Sequence, residues 1–141
     1  MNISIVDASN YFRGLLLLIR KDRKVTDSEV ALMKRIGKAL GFEPEFCDQA
    51  IRGILENDHI HEQPPKFSSR DVAVKFIEDG LTMAYADNEI HPAEEEWLRF
   101  VAELHRIDLQ WFFHERDLAA KGKRPHDHLE VEGLSVAELR K

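Results

Sequence analysis

The chain has 141 residues, a length that suits one compact domain, and 43% of them are hydrophobic, which is enough to form a core. Its formal charge of −6 argues against general nucleic-acid binding, because clustered lysine and arginine are needed to hold a phosphate backbone. The single cysteine, Cys47, excludes an internal disulfide framework and suits a reducing compartment. The apolar run GLLLLI is too short for an export signal or a membrane span, so we expect a cytoplasmic protein.

The first half of the chain predicts three helices, because its apolar residues recur at helical spacing. The first helix covers about residues 7–21. The second follows Thr26, which forms a capping-box pattern with Glu29, and it ends at Gly41. Pro44 opens the third, which runs to about residue 56. The side chains expected in the core are Phe12, Leu15, Leu16 and Ile19 of the first helix and Val30, Met33, Ile36 and Leu40 of the second.

The second half predicts three more helices, beyond a polar linker at residues 57–68 that contains two adjacent prolines. Ser68 or Ser69 caps the fourth helix, Pro92 takes the first position of the fifth, and Asp108 caps the sixth. The core-facing side chains are predicted to be Val74, Ile77, Leu81 and Ala84 of the fourth helix and Leu98, Val101 and Leu104 of the fifth.

The two halves resemble each other when the chain is shifted by 65 residues, without a gap from about residue 11 to 46. Helical periodicity alone aligns apolar positions, but it does not place an aspartate before the same turn and a glutamate after it in both copies. The matched pairs include Phe12 with Ile77, Leu16 with Leu81, Asp22 with Asp87, Val25 with Ile90, Glu29 with Glu94 and Met33 with Leu98.

The sequence therefore predicts an all-α fold: one domain over residues 1–141, built as a compact bundle of about six or seven helices. The first pseudo-repeat spans about residues 7–56 and the second about residues 69–119. A charged tail at residues 120–141 is expected to contain a short final helix that begins at Ser135.

The stretch YADNEIHPAEEE, residues 85–96, gathers carboxylates around one turn and has two interpretations. In the first, Glu94 caps the fifth helix and meets its dipole, while Asp87 bonds its own backbone. In the second, Asp87, Glu89 and Glu94 supply oxygens to a hard cation, Ca²⁺ or Mg²⁺. The pattern is not an EF-hand, because it lacks the central glycine and has Leu98 at the twelfth position.

The stretch YADNEIHPAEEEWLRFVAELHRID resembles the signature half of the tellurite-resistance TerB-like family, roughly Ala-Asp-Gly-x-aliphatic-x-x-x-Glu followed by an amphipathic helix. The stretch RKDRKVTDSEVALMKRIGKALGF resembles the weaker first copy, so that the likeness covers about residues 7–118. The resemblance implies an all-helical fold with two-fold pseudo-symmetry, an acidic cluster for divalent cations, and association with stress-response or membrane-linked complexes. By position, it implies a metal site formed by Asp87, Glu94, Asp22 and Glu29, with Glu89 as a further ligand.

The chain departs from the family pattern at three positions. Asn88 stands where the family has glycine, and asparagine tolerates the left-handed backbone conformation of such a turn. In the first copy, Arg23 occupies the glycine position and Lys24 replaces the acid that corresponds to Glu89. These cations can pair with neighbouring acids in place of a metal, so an alternative is that the first copy has lost ion binding.

No phosphate-binding loop, nucleophile elbow or dinucleotide fingerprint occurs in the sequence. We therefore expect a non-enzymatic binding or adaptor module related to stress response, with a protein partner, membrane association only through that partner, and possible homodimers. One aromatic side chain among residues 111–113 is expected at the surface as a partner or dimer contact. The alternatives are a purely structural interaction domain without metal and a metal-dependent hydrolase that uses the acidic cluster.

Overall fold

The computed structural model describes residues 2–21, 25–57, 62–86, 90–122 and 128–136. Within these ranges the chain forms six α-helices: α1 (Ile5–Ile19), α2 (Asp27–Ala39), α3 (Pro44–Glu56), α4 (Arg70–Ala84), α5 (Pro92–Leu104) and α6 (Leu109–Ala120). A 3-10 helix (Glu130–Gly133) follows, and the short strand β2 (Ser135–Val136) pairs in parallel with β1 (Asn2–Ile3). The predicted all-α helical bundle is confirmed.

Helices α1 and α4 form the centre of the bundle. Helix α1 packs against α2, α3, α4 and α5, and α4 packs against α1, α5, α6 and the 3-10 helix. Five consecutive residues of α1, 15–19, are fully buried, although only part of them was predicted to face the core. This part of α1 has neighbours on all sides and no solvated face, so its sequence shows little amphipathic contrast. The apolar run at residues 14–19 thus forms the middle of the core.

The bounds of the helices reproduce the 65-residue repeat. The shift carries Ile5–Ile19 onto Arg70–Ala84, Asp27–Ala39 onto Pro92–Leu104, and the start of α3 onto the start of α6. Ser4 and Ser69, which are related by the same shift, both cap their helices by accepting a hydrogen bond from the backbone N–H three residues further on. Equivalent local chemistry therefore begins the central helix of each half.

The second helix of each half also ends in the same way. Gly41 and Arg106 both have positive φ, at 84° and 57°. The next amide then reaches back to the helix: Phe42 N donates to Gly37 O at 2.9 Å, and Ile107 N donates to Ala102 O at 2.8 Å. This is the Schellman arrangement, which satisfies carbonyls that a helix end leaves open. An arginine occupies the left-handed position in the second half, where glycine avoids steric strain in the first.

The described part of the predicted linker, residues 62–68, packs against the helices instead of lying free in solvent. Phe67 is buried against the rings of Tyr11 and Phe76, at 5.9 and 5.1 Å between centroids. Pro65 approaches α1 at Gly14, where a Cβ atom would lie 2.8 Å from it. Ser68 donates from both its backbone N–H and its hydroxyl to Asp7. The segment thus holds α1 and α4 together.

Two residues that were predicted to face the core do not lie in it: Leu104 is 46% exposed, and Val30 is only partly buried and lines a surface cavity between α2 and α3. Steps of three residues drift around a helix of 3.6 residues per turn, so Leu104 has turned away from the stripe that Leu98 and Val101 define. His105 takes the inward position. Its Nε2 accepts a hydrogen bond from Phe67 N at 2.8 Å, and its Nδ1 lies 2.8 Å from Val101 O.

The prediction that a final helix begins at Ser135 is also wrong. Ser135 and Val136 form strand β2, paired with Asn2 and Ile3 of β1. A Ser-x-x-Glu pattern is a local helix signal, but the N-terminal strand offers the backbone a different partner. Residues 137–141, which would complete the predicted helix, lie outside the described part of the chain.

None of the helices in the described ranges combines the length and the apolar character needed to cross a membrane.

Candidate functional site

The two predicted ion sites lie at corresponding connections, which we call the first elbow (between α1 and α2) and the second elbow (between α4 and α5). After the first elbow, Thr26 caps α2. Its hydroxyl accepts from Glu29 N at 3.1 Å, and the Glu29 carboxylate accepts from Thr26 N at 2.9 Å. This is a complete capping box, as the sequence predicted.

The second elbow ends in a similar cap with a different residue. His91 Nδ1 accepts a hydrogen bond from Ala93 N at 3.0 Å, and Glu94 Oε1 accepts from His91 N at 2.9 Å. Histidine is not a usual capping residue, so the sequence pointed to Pro92 and Glu94 but not to the role of His91. With Nδ1 accepting, the imidazole is in the tautomer that carries its proton on Nε2.

Both capping carboxylates are buried. Glu29 and Glu94 are each 2% exposed, at positions related by the 65-residue shift. A carboxylate in the first turn of a helix is stabilised by the backbone N–H groups and by the positive end of the helix dipole. The geometry therefore supports the capping interpretation for one oxygen of each side chain.

The described residues that flank each elbow lie beside a helix of the other half. At the end of α1, the ammonium group of Lys21 lies 4.2 Å from the centre of the Trp97 ring on α5. Just after α4, Ala86 lines a surface cavity of about 350 Å³ together with Ser28, Ala31, Leu32 and Arg35 of α2. Lys21 and Ala86 thus each lie beside the second helix of the other half. This reciprocal packing places the starts of α2 and α5 at the same end of the bundle.

A cluster of paired charges surrounds this end of the molecule. Glu62 forms ion pairs with both Arg20 and Lys21, which directly follow the last residue of α1. At the second elbow, Arg116 of α6 pairs with Glu95 at 3.0 Å. Glu95, an acid in the first turn of α5, thereby connects α5 to α6. Glu96 is exposed.

The structure describes two of the five predicted metal ligands. Glu29 and Glu94 are placed as given above, whereas Asp22, Asp87 and Glu89 lie outside the described residues. Among the residues that are described, no group of three or more histidine, cysteine, aspartate or glutamate side chains has an arrangement that would hold a metal ion. A cation site at either elbow, of Ca²⁺ or Mg²⁺, remains a prediction that depends on the three aspartate and glutamate residues beyond the described ranges.

A buried carboxylate that the sequence analysis missed lies in the middle of α4. Asp79 is fully buried, and both of its oxygens accept hydrogen bonds. Tyr11 Oη donates to Oδ2 at 2.7 Å, Val131 N donates to the same oxygen at 3.0 Å, and Glu130 N donates to Oδ1 at 2.6 Å. Asp79 thereby caps the 3-10 helix of the tail from a distance of about 50 residues in the sequence.

Burial raises the pKa of the Asp79 carboxyl to about 6, although the three hydrogen bonds act in the opposite direction. Burial and the neighbouring Asp79 raise the pKa of Tyr11 well above its usual range. Perturbed pKa values often mark catalytic groups, but here every oxygen of Asp79 is used in structural contacts and none faces solvent. The pair is an anchor for the tail. The one sequence cue was that Asp79 shares a helix face with the apolar residues Val72, Phe76 and Met83, which lie seven and three positions before it and four positions after it.

Two ion pairs complete the attachment of the tail. Lys75 of α4 pairs with Glu130 at 3.3 Å, and Arg35 of α2 makes two bonds to the carboxylate of Glu132, at 2.6 and 2.7 Å. The bidentate geometry is the stronger arrangement for arginine and carboxylate. The 3-10 helix therefore ties the second helix of the first half to the central helix of the second half.

Comparisons with known proteins give no match: no protein-family model, no curated protein and no solved structure is significantly similar to the chain.

Proposed function

We propose that the chain is a non-enzymatic binding module of the TerB-like kind, whose second elbow takes up a divalent cation and so fixes the angle between α4 and α5. The proposal is supported above all by the reciprocal packing of the elbows, with Lys21 on Trp97 and Ala86 beside Leu32. The starts of α2 and α5, each with a buried first-turn glutamate, lie at one end of the bundle, where ion binding would act on both halves at once.

The chemistry of the proposed site follows from its ligands. Carboxylate oxygens are the ligands preferred by Ca²⁺ and Mg²⁺, and carboxylates close together repel one another until a cation neutralises them. Glu94 is already fixed by its bond to His91 N, so its carboxylate is held in place before an ion arrives. The residues proposed to join it are Asp87 and Glu89, with Asp22 and Glu29 from the first elbow. The stress-response role implied by the TerB-like resemblance belongs to this proposal.

A second candidate, a protein-interaction domain without metal, is favoured by a specific observation. The carboxylates of Glu29 and Glu94 already serve as helix caps, each at 2.9 Å from a backbone nitrogen. In that case the acids of the elbows stabilise the fold only, and binding takes place elsewhere on the surface. The two candidates differ in one measurable property, which is the effect of ions on stability.

The test is calorimetric titration of the metal-stripped protein with Ca²⁺, Mg²⁺ and Zn²⁺, together with thermal unfolding in millimolar ion. The proposal predicts heat of binding and a higher Tm with Ca²⁺ or Mg²⁺. Glu94→Gln should weaken binding by about tenfold or more, because it removes one charged ligand. Glu96→Gln is the matched control, because Glu96 lies in the same helical turn, is exposed and is not among the proposed ligands.

The double variant Asp87→Asn with Glu94→Gln distinguishes the two candidate functions. The metal-free candidate predicts that it lowers stability modestly and equally with and without ions. The cation candidate predicts that the loss is larger when the ion is present, because only the wild type gains stability from binding. Absence of both heat and thermal shift in the wild type would eliminate the cation and leave the interaction domain.

A further inference from the structure

An apolar groove runs between α2 and α3 on the surface of the first repeat. One section, of about 470 Å³, is lined by Lys34, Lys38, Phe42, Pro44, Cys47 and Asp48. The adjoining section, of about 360 Å³, is lined by Val30, Lys34, Asp48, Ile51, Arg52, Leu55 and Glu56. The sections meet at an ion pair between Lys34 and Asp48, 3.4 Å apart, whose side chains are both about half exposed.

The groove follows from a difference between the two repeats. The 65-residue shift relates Cys47 to Phe112, which is fully buried and stacks on Phe113 at 5.5 Å. Cys47 is much smaller and lies directly on the α2 backbone, where a Cβ atom at Gly37 would be 2.3 Å from its sulfur. A small side chain thus stands in the first repeat where an aromatic ring fills the second. Phe46, whose ring lies 5.2 Å from that of Phe42, is 51% exposed.

A helix face with exposed apolar and acidic side chains lies on α5. Four exposed residues of this helix, Glu96, Phe100, Glu103 and Leu104, fall on one face because they are spaced by four, three and one positions. We call this face the α5 ridge. Phe100 is 54% and Leu104 is 46% exposed, although large apolar side chains are usually covered. Arg99, on the neighbouring face of the helix, is only partly exposed.

We propose that the α5 ridge of one copy of this chain docks into the α2–α3 groove of a second copy. Phe100 and Leu104 fill the section floored by Phe42, Pro44 and Cys47. The acids of the ridge, Glu96 and Glu103, then face Lys34 and Lys38 on the rim. This inference deepens the proposed binding role by naming the partner as a second copy of the chain.

Charge makes this choice of partner specific. The chain carries a net −6, so two copies repel each other over most orientations. The section around Phe42 is bordered by two lysines and one aspartate, which leaves a local excess of positive charge. The ridge is bordered by two glutamates. Bringing these surfaces together replaces repulsion by attraction and fixes the register of the contact.

The proposed contact is heterologous, since the ridge and the groove are different surfaces of one molecule. Each copy therefore has one donor face and one acceptor face, and assembly can extend beyond a dimer unless a ring closes. Two anchoring side chains correspond to a small interface, so the contact is weak and concentration-dependent. Aromatic anchors carry most of the binding energy in such contacts, and Phe100 is the anchor here.

The experiment is sedimentation equilibrium of the full chain in reducing buffer, from about 10 µM to 1 mM, a range that suits a weak interface. The wild type should show an average mass that rises with concentration above the monomer value of 16.4 kDa. Phe100→Ser should weaken association by about tenfold or more, because it removes the anchor. Val6→Ser is the matched control, because Val6 is 69% exposed but belongs to neither surface.

A charge exchange tests the pairing itself. Lys38→Glu and Glu103→Lys should each weaken self-association, and the double variant should recover it. Neither single variant should associate alone, but a mixture of the two should associate, because the ridge of each variant is complementary to the groove of the other. A wild type that stays monomeric throughout, or a Phe100→Ser variant that associates like Val6→Ser, would overturn the proposal. Sedimentation in chelator does not depend on ion binding, so this proposal and the cation proposal can fail separately.

Discussion

Replacing Asp79 by alanine tests the claim that one buried carboxylate holds the C-terminal tail on the bundle. The side chain is fully buried and accepts hydrogen bonds from Tyr11 Oη, Glu130 N and Val131 N. Asp79→Ala removes all three acceptor contacts. The two backbone N–H groups of the 3-10 helix then lie against α4 without an acceptor.

The expected loss follows from the groups left behind. Each buried donor without a partner costs about 1–3 kcal/mol, and the hydroxyl of Tyr11 loses a bond to a carboxylate as well. Undocking of the tail lets water reach these donors, which limits the loss. We therefore expect Asp79→Ala to lower the free energy of unfolding by about 3–5 kcal/mol, among the larger effects of single substitutions.

Two measurements test the effect of Asp79→Ala on stability and on the tail. Urea unfolding gives the change in stability, and amide hydrogen exchange reports the protection of Glu130 N and Val131 N. Tyr11→Phe is the matched control, because it removes one donor to Asp79 and leaves both backbone donors capped. It should cost about 1 kcal/mol and leave the exchange of the two tail amides unchanged.

The reasoning would be refuted by an Asp79→Ala variant that loses less than about 1 kcal/mol, the value expected for a single ordinary hydrogen bond. Unchanged protection of Glu130 N and Val131 N in that variant would refute it as well. Either result would mean that the contacts of Lys75 and Arg35 with the tail are sufficient to hold it.

Three further predictions concern pH, packing and capping. Burial raises the pKa of Asp79 from 3.8 to about 6, so the folded chain holds this proton more tightly than the unfolded chain. The stabilisation is fully present below pH 3.8 and is lost as the pH rises through about 6. Urea unfolding from pH 4 to 7 should show the wild type losing about 2 kcal/mol relative to Asp79→Asn, because most of the titration lies within this range. Gly37→Ala should lower stability by about 1–3 kcal/mol, because its Cβ atom would lie 2.3 Å from Cys47 Sγ. Gly53→Ala, whose Cβ atom would have no atom within 4 Å, should raise stability by about 0.5–1 kcal/mol through helix propensity. Thermal unfolding of both variants separates the effect of packing from that of helix propensity. Thr26→Ala should lower stability by about 1 kcal/mol in the same assay, because it removes the hydroxyl that accepts the hydrogen bond from Glu29 N. Ser28→Ala is the control, because Ser28 lies in the first turn of the same helix and takes no part in the cap. A loss for Thr26→Ala no larger than that for Ser28→Ala would contradict the capping role.

The candidate site shows how far sequence reasoning reached. Glu29 and Glu94 were identified from spacing, and the structure places both as buried caps at equivalent positions. Their relation to the opposite elbow depends on how α1 and α4 pack, which brings Lys21 to Trp97. Spacing along the chain carries no information about that crossing. The joint use of Asp22, Asp87 and Glu89 stays a prediction.

The sequence by itself determined where the helices begin and end, because these points depend on neighbouring residues. Thr26 and Glu29 satisfy N–H groups within four residues, Pro92 fixes the first turn of α5, and Gly41 supplies the left-handed end of α2. The same local chemistry recurs after 65 residues, and the helix bounds recur with it.

The tertiary structure decided what depends on partners distant in the sequence. Asp79 gains its role from the tail, Ser135 becomes a strand because Asn2 pairs with it, and Leu104 is left exposed while His105 turns inward to Phe67. In each case the local preference was weak, and a hydrogen-bond partner from elsewhere in the chain determined the outcome.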